Sequence, residues 1–283
     1  MRQLSEITAE RDTARTILEL TSVFEGIASM RIAQIKDQVQ ESERFFADLW
    51  KIYSQIRVDK LFHFGRLQSA GKVINKELLL LITSGGSLSG DIDQRLVDEA
   101  IKYFRPKNND IIVVGHHGSV QLRQKNVPYV KSYKMPERDQ NINVTPLAAE
   151  VQKYANTTVF YQSYQSLLVQ KVKTLKLNAA VEEKGKEIKP GEDVISEANY
   201  IFEPSTYAVV NHLERSMMQI TLSEVILESK LAQYASRFRA MSTAHDKSDE
   251  SLDDLTRLYN RARRHIKDER LKEVINGMKW IKR

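Results

Sequence analysis

The chain has 283 residues, 41% hydrophobic and 28% charged, which suits about two packed domains and excludes wholesale disorder. It has no cysteine, so a disulfide scaffold, a thiolate zinc site, an iron–sulfur cluster and a cysteine nucleophile are excluded. The formal charge of +6 admits an acidic partner without choosing among nucleic acid, lipid headgroup and acidic protein.

The N-terminal sequence MRQLSEITAERD is too charged for a secretory signal, and its acidic residues argue against a transit peptide. Between Gly26 and Gly65 there is neither glycine nor proline, which predicts a long helix. Alternating steps of three and four trace Leu4, Ile7, Arg11, Ala14, Leu18, Thr21, Glu25, Ala28, Ile32, Ile35 and Val39, and continue through Ser42, Phe46, Leu49, Tyr53 and Ile56. That period is a coiled-coil seam. Ile17, Leu20, Phe24 and Ile27 form a second apolar set on another face. One partner helix covers only one face, so this stretch is expected to touch something more.

The middle of the chain reads as α/β. Leu78–Thr83 is a continuous apolar run, as in a buried parallel strand. After the glycines at 85, 86 and 90, the residues Ile92, Leu96, Val97, Ala100, Ile101 and Phe104 fall on one helical face. Asp110–Val114 predicts a second strand. Thr145-Pro146 predicts a helix with Thr145 as N-cap, running to about Ala155. Thr157–Tyr161 predicts a third strand and Leu167–Leu177 a further extended segment. Strand, helix, strand, helix, strand is the doubly wound pattern. A charged loop is expected over Glu182–Glu192. The chain then returns without glycine or proline from Pro204 to Gly277, again a long helix. Its seam runs Leu231, Tyr234, Phe238, Met241, His245, Ser248, Leu252, Leu255, Tyr259, Ala262 and Ile266, then slips by five to Leu271. The slip is a stutter. The fold class expected is α/β: a long antiparallel coiled coil of the terminal helices, residues 1–57 and 207–283, with a central Rossmann-like domain, residues 58–206.

Local motifs offer little chemistry. Thr83–Asp91 (TSGGSLSGD) lies between strand and helix but lacks the lysine and hydroxyl of a P-loop, so no tightly bound nucleotide is expected. His116 and His117 are adjacent and point different ways, a poor spacing for one metal ion. No catalytic residue, cofactor or metal is expected, and no Ser/His/Asp set can be argued. The last turns are basic, with Arg257, Arg261, Arg263, Arg264, Lys267 and Arg270 among them. Nucleic-acid binders interleave aromatics or loop glycines with such charge. Here Tyr259 and Ile266 continue the seam, which favours a helix docked in protein over a nucleic-acid partner.

Specific residues add a resemblance. Tyr200–Met241 resembles the γ subunit of F-type ATP synthase: a Phe-Glu-Pro-Ser turn (Phe202–Ser205), the pair Glu228-Ser229, then Ala235, Arg237 and Ala240-Met241. Ser242–Arg264 continues it without a gap. Ala28–Gln34 is similar to the family's Ser-Lys-Met-Arg stretch, with Ser29 in place of lysine. Leu78–Thr83 with the glycine turn after it is similar to the family's first strand and glycine turn, and Val159–Leu177 to its last strand pair. The C-terminal signature is altered: Glu273 and Gly277 match, whereas Lys267, Asp268, Arg270 and Met278 do not. The resemblance implies a non-catalytic central rotor stalk, peripheral at the cytoplasmic face of a bacterial membrane. The partners it implies are α and β subunits of a catalytic ring, an ε-type subunit and a c-ring, without direct membrane insertion. The implied contact residues are Met30, Arg31, Asn260, Arg263, Arg264 and Glu273, with Arg263 and Arg264 facing the β subunits. The alternative is a γ-like shaft of a specialised F-type motor not coupled to ion flow.

Overall fold

The computed structural model describes residues 4–55, 74–139, 142–177, 201 and 203–281. The expected charged loop Glu182–Glu192 and the 57/58 boundary lie outside them. Helix α1 spans Leu4–Gln55. Strand β1 spans Ile74–Ile82, α2 Ile92–Tyr103, β2 Asn109–Val114, α3 His116–Gln124 and β3 Lys131–Tyr133. Then come α4 Thr145–Val151, β4 Tyr154–Tyr164, β5 Gln170–Lys176 and α5 Thr206–Ile281. The chain divides into two compact units, Met1–Ile27 with Phe238–Arg283, and Ala28–Arg237.

In the first unit the α1 seam is buried at Ile7, Ala14 and Thr21, with Arg11 and Leu18 half-buried between them. Thr21 is tolerated there because its hydroxyl donates to the Ile17 carbonyl, 2.9 Å away, one turn back. The facing α5 stripe runs through Leu252, Leu255, Tyr259, Ala262 and Ile266, all half-buried. The Arg11 guanidinium lies over the Tyr259 ring, 4.5 Å from its centroid, and fixes an antiparallel register. One heptad back from Arg11 is Leu4 and one heptad on from Tyr259 is Ile266, so α5 outruns α1 there. Lys267–Ile281 extends about 22 Å past Leu4, the first described residue of α1, at a rise of about 1.5 Å per residue.

The second unit is built on a five-stranded sheet of order β3-β2-β1-β4-β5. β1 pairs in parallel with β2 and β4, with Leu80 opposite Ile112 on one side and Val159 on the other. β2–β3 is also parallel, whereas β4–β5 is an antiparallel hairpin, so the sheet is mixed rather than wholly doubly wound. The hairpin needs no crossover helix because Gln165 to Val169 turns the chain directly. β1 is buried on both faces. Leu78, Leu80 and Ile82 meet Leu147 and Val151 of α4 and Met218, Leu222 and Ile226 of α5. Leu79 and Leu81 meet Leu96, Val97 and Ala100 of α2 and Leu122 of α3. That accounts for the unbroken apolar run, since a strand covered on both sides has no solvent-facing residue.

Several boundaries differ from expectation. Thr145 is the first helical residue of α4 and Val144 its cap, because the Asn143 side chain reaches forward to accept the Thr145 N–H at 3.1 Å. α4 ends at Val151, not Ala155, since Tyr154 already pairs with Ile74 in the sheet. α5 opens at Thr206 just past Pro204, and the Ser205 hydroxyl caps it by accepting the Ala208 N–H at 3.2 Å. Helix α3 and strand β3 carry too few apolar residues to be read from period.

Candidate functional site

The residues singled out for subunit contact sit on the two long helices. Met30, on α1, is 55% exposed. Arg31 follows it, exposed, with Nη1 3.3 Å from the buried Asp139 carboxylate. Both belong to the second unit. Asn260, Arg263, Arg264 and Glu273 belong to the first and are all exposed on α5. Asn260, Arg263 and Arg264 are one helical turn apart and share a face, away from the half-buried Tyr259, Ala262 and Ile266. The second apolar set of α1 is also uncovered: Ile17, Leu20, Phe24 and Ile27 are 37–52% exposed. Beyond Ile266, Leu271, Val274 and Met278 are exposed as well.

A buried polar knot joins the carboxyl end of β1 to α5, and no local motif announced it. Asp93, in the first turn of α2, is 1% exposed. Its carboxylate accepts the Ser84 N–H at 3.0 Å, the Ser84 hydroxyl and the Gln162 amide at 2.8 Å. His117 Nδ1 lies 3.2 Å from the same carboxylate and 3.3 Å from Ser84 Oγ. Ser229 of α5 donates its hydroxyl to Gln162 Oε1, and Gln233 donates to the same oxygen at 3.1 Å. Such a set keeps a buried anion hydrogen-bonded, the condition for tolerating it. Ser84, His117 and Asp93 do not form a nucleophilic relay. In a relay the serine donates to one ring nitrogen and the carboxylate holds the other. Here serine donates to the carboxylate and both face Nδ1. The knot is therefore a clamp between sheet and helix.

Beside it, at the carboxyl ends of β1, β2 and β3, lies a cavity of about 700 Å³ walled on one side by α5. Gly115, between β2 and α3, has φ of +101°. The wall residue Lys230 is 4% exposed and fully engaged: it is ion-paired with Asp139 and donates to the Pro136 carbonyl at 2.8 Å. His116 lines the cavity while His117 enters the knot, so the two rings diverge as their adjacency implied. Among the described residues there is no group of three or more His, Cys, Asp or Glu side chains that could hold a metal ion. No helix among them is long and apolar enough to cross a membrane.

Three tyrosines of this unit, Tyr154, Tyr161 and Tyr234, are pushed toward the neutral phenol. Burial, then the charge and hydrogen bond of Asp110, pushes the Tyr154 phenol up to about 12. Burial and the neighbouring Glu228 and Glu224 push Tyr161 well above the usual phenol range. Tyr234, on the cavity wall, is raised by burial and by Asp139.

The profile of the family described as ATP synthase matches residues 3–280. Among curated proteins, the ATP synthase gamma chain of Chlorobium phaeobacteroides is 24% identical, covering 98% of each chain. That of Streptococcus mutans is 25% identical, covering 97% of each. Among solved structures, the rotor of Euglena gracilis mitochondrial ATP synthase aligns at a TM-score of 0.59 and 15% identity, over 93% of this chain and 99% of that one. The central stalk and c-ring assembly of Tetrahymena thermophila mitochondrial ATP synthase holds a chain aligning at 0.55 and 18% identity, over 80% and 99%.

Proposed function

We propose, because this chain belongs to the ATP synthase family, that it is the central-stalk rotor subunit, carrying torque between a membrane ion-driven ring and a catalytic ring. The observation that carries this reading is the extent of the family match, residues 3–280, set against helices that begin at Leu4 and end at Ile281. The match takes in both long helices and the sheet between them. Residues 1–57 and 207–283 form the shaft in this reading, and residues 58–206 the globular part that grips an ε-type subunit and the c-ring. The shaft turns inside a ring of α and β subunits. The complex works at the cytoplasmic face of a bacterial membrane, with this chain peripheral to it.

The rotor contributes no catalytic side chain. It acts through stiffness, shape and charge. The exposed apolar residues of α1 and of the last turns of α5 meet a surrounding sleeve, which removes apolar surface from water. The exposed Arg263 and Arg264 meet acidic loops of β subunits. The clamp through Asp93, Gln162 and Ser229 holds α5 to the sheet, so that a force on one reaches the other.

The test is a reconstituted complex carrying paired Arg263→Ala and Arg264→Ala, or Met30→Lys. Exposed positions contribute within about 0.5 kcal/mol to stability, so assembly should be intact while ATP-driven ion pumping falls relative to ATP hydrolysis. Unchanged pumping per ATP in both variants would remove these residues from the coupling surface. ATP hydrolysis without any pumping by the unaltered complex would favour a motor not coupled to ion flow.

A further inference from the structure

The cavity at the carboxyl ends of β1, β2 and β3 has a place, a size and a charge that together point to a ligand. In open α/β sheets the crevice outside the carboxyl ends of the parallel strands is where ligands bind. Its volume of about 700 Å³ falls within the roughly 300–1,000 Å³ of small-molecule sites. Two exposed glycines, Gly85 and Gly86, bring bare backbone to its rim. A Cβ at Gly86 would stand 3.3 Å from Arg237 Nη2, a tight approach that the glycine leaves open.

Charge identifies the ligand class. Lys230 is cancelled by Asp139 and is part of the wall. Lys134 and Arg237 remain, against the single lining carboxylate of Glu137. Arg237 has no ion pair among the described residues: Nη2 reaches Ser89 Oγ at 3.3 Å and the guanidinium lies 5.3 Å from the Tyr234 ring centroid. A half-buried guanidinium with no carboxylate partner, lining a cavity, is suited to an oxyanion. Tyr133 and Tyr234 also line the cavity. We propose that this cavity binds the pyrophosphate group of a small phosphorylated molecule, with Arg237 and Lys134 holding its oxygens. The glycine turn after β1 lacks P-loop chemistry because the cations come from the segment after β3 and from α5. This inference rests on the cavity and not on the rotor reading.

The experiment is calorimetric titration of the full chain with pyrophosphate, ADP and adenosine in separate runs. The variants are Lys134→Gln, on an exposed side chain, and Arg237→Gln, with circular dichroism checking its fold. The control is Lys102→Gln, which lies on α2 outside the cavity. Pyrophosphate and ADP should bind and adenosine should not. Lys134→Gln should weaken pyrophosphate binding at least about tenfold, as should a folded Arg237→Gln, with the control within about twofold. Tighter binding of ADP than of pyrophosphate would identify a nucleotide as the source of the group, and equal binding a phosphate-only site. Absence of pyrophosphate and ADP binding at millimolar concentration, equal weakening in the control, or adenosine binding as well as ADP would each overturn the proposal. Pumping by the assembled complex would be unaffected by that failure.

Discussion

Replacing Gln162 by leucine isolates the clamp between β4 and α5. The side chains are close in volume, so no large cavity forms and the effect is almost wholly polar. Gln162 donates to Asp93 at 2.8 Å and accepts from Ser229 and from Gln233, the last at 3.1 Å. Its loss leaves Asp93 with its Ser84 and His117 partners, so the anion is not stranded. Gln233 keeps Ser229 Oγ at 3.0 Å. The Ser229 hydroxyl is left without its acceptor, and turning back to a carbonyl of its own helix recovers part of the cost. One buried donor partly orphaned and one charge-assisted bond lost amount to about 2–4 kcal/mol. At roughly 2–4 °C per kcal/mol for a chain of this size, thermal unfolding by circular dichroism should drop by about 4–16 °C. Hydrogen exchange should accelerate most in β4 and in the α5 turns around Ser229. A cycle with Ser229→Ala should show a coupling of about 1 kcal/mol or more. A melting shift below about 2 °C, or strict additivity with Ser229→Ala, would show that Gln162 fills space without tying the helix to the sheet.

Gly115→Ala should be more damaging still. A Cβ there would overlap the Thr83 carbonyl oxygen and stand 2.6 Å from its carbon, at a backbone φ of +101° that L side chains rarely adopt. Backbone strain plus overpacking gives about 3–5 kcal/mol, checked by urea unfolding; a loss below about 1 kcal/mol would mean that the β2–α3 junction shifts freely. Alkaline stability should follow the buried phenols. A phenol whose folded value is raised contributes stability that is present below the ordinary value near 10 and lost as pH climbs toward about 12, the position of Tyr154. Tyr154→Phe should flatten that fall between pH 10 and 12 in chemical denaturation; an unchanged slope would contradict it.

The helical seam was legible almost residue by residue. The α1 positions expected to face a partner include Ile7, Ala14, Thr21, Ala28, Ile32 and Ile35, and these are the buried ones among its described side chains. Period survives because each such position answers to one neighbouring helix. The face of α2 was legible for the same reason. Helix α3 was not, since HHGSVQLRQ has one fully buried large side chain, Leu122, and no period to detect. β3 is three residues held by pairing to β2, which no local preference encodes. The knot was illegible for a different reason. Ser84, Asp93, His117, Gln162 and Ser229 come from five separate segments, so their convergence is a product of topology. The cavity cations Lys134 and Arg237 share that origin.

The uneven ends of α1 and α5 have a mechanical consequence. Where the two helices lie seam to seam, bending one strains the packed side chains of both. Past Ile266 no described residue of α1 lies alongside, and among the described residues Lys267–Ile281 bears load along its own backbone. Its backbone ladder is unbroken, but a lone helix of this length is marginal in water, and Leu271, Val274 and Met278 stay uncovered along it. Compliance is therefore concentrated in the final turns. A twist applied lower on the paired helices reaches the tip late and softened, as through an elastic coupling whose slack disappears only when something closes around it.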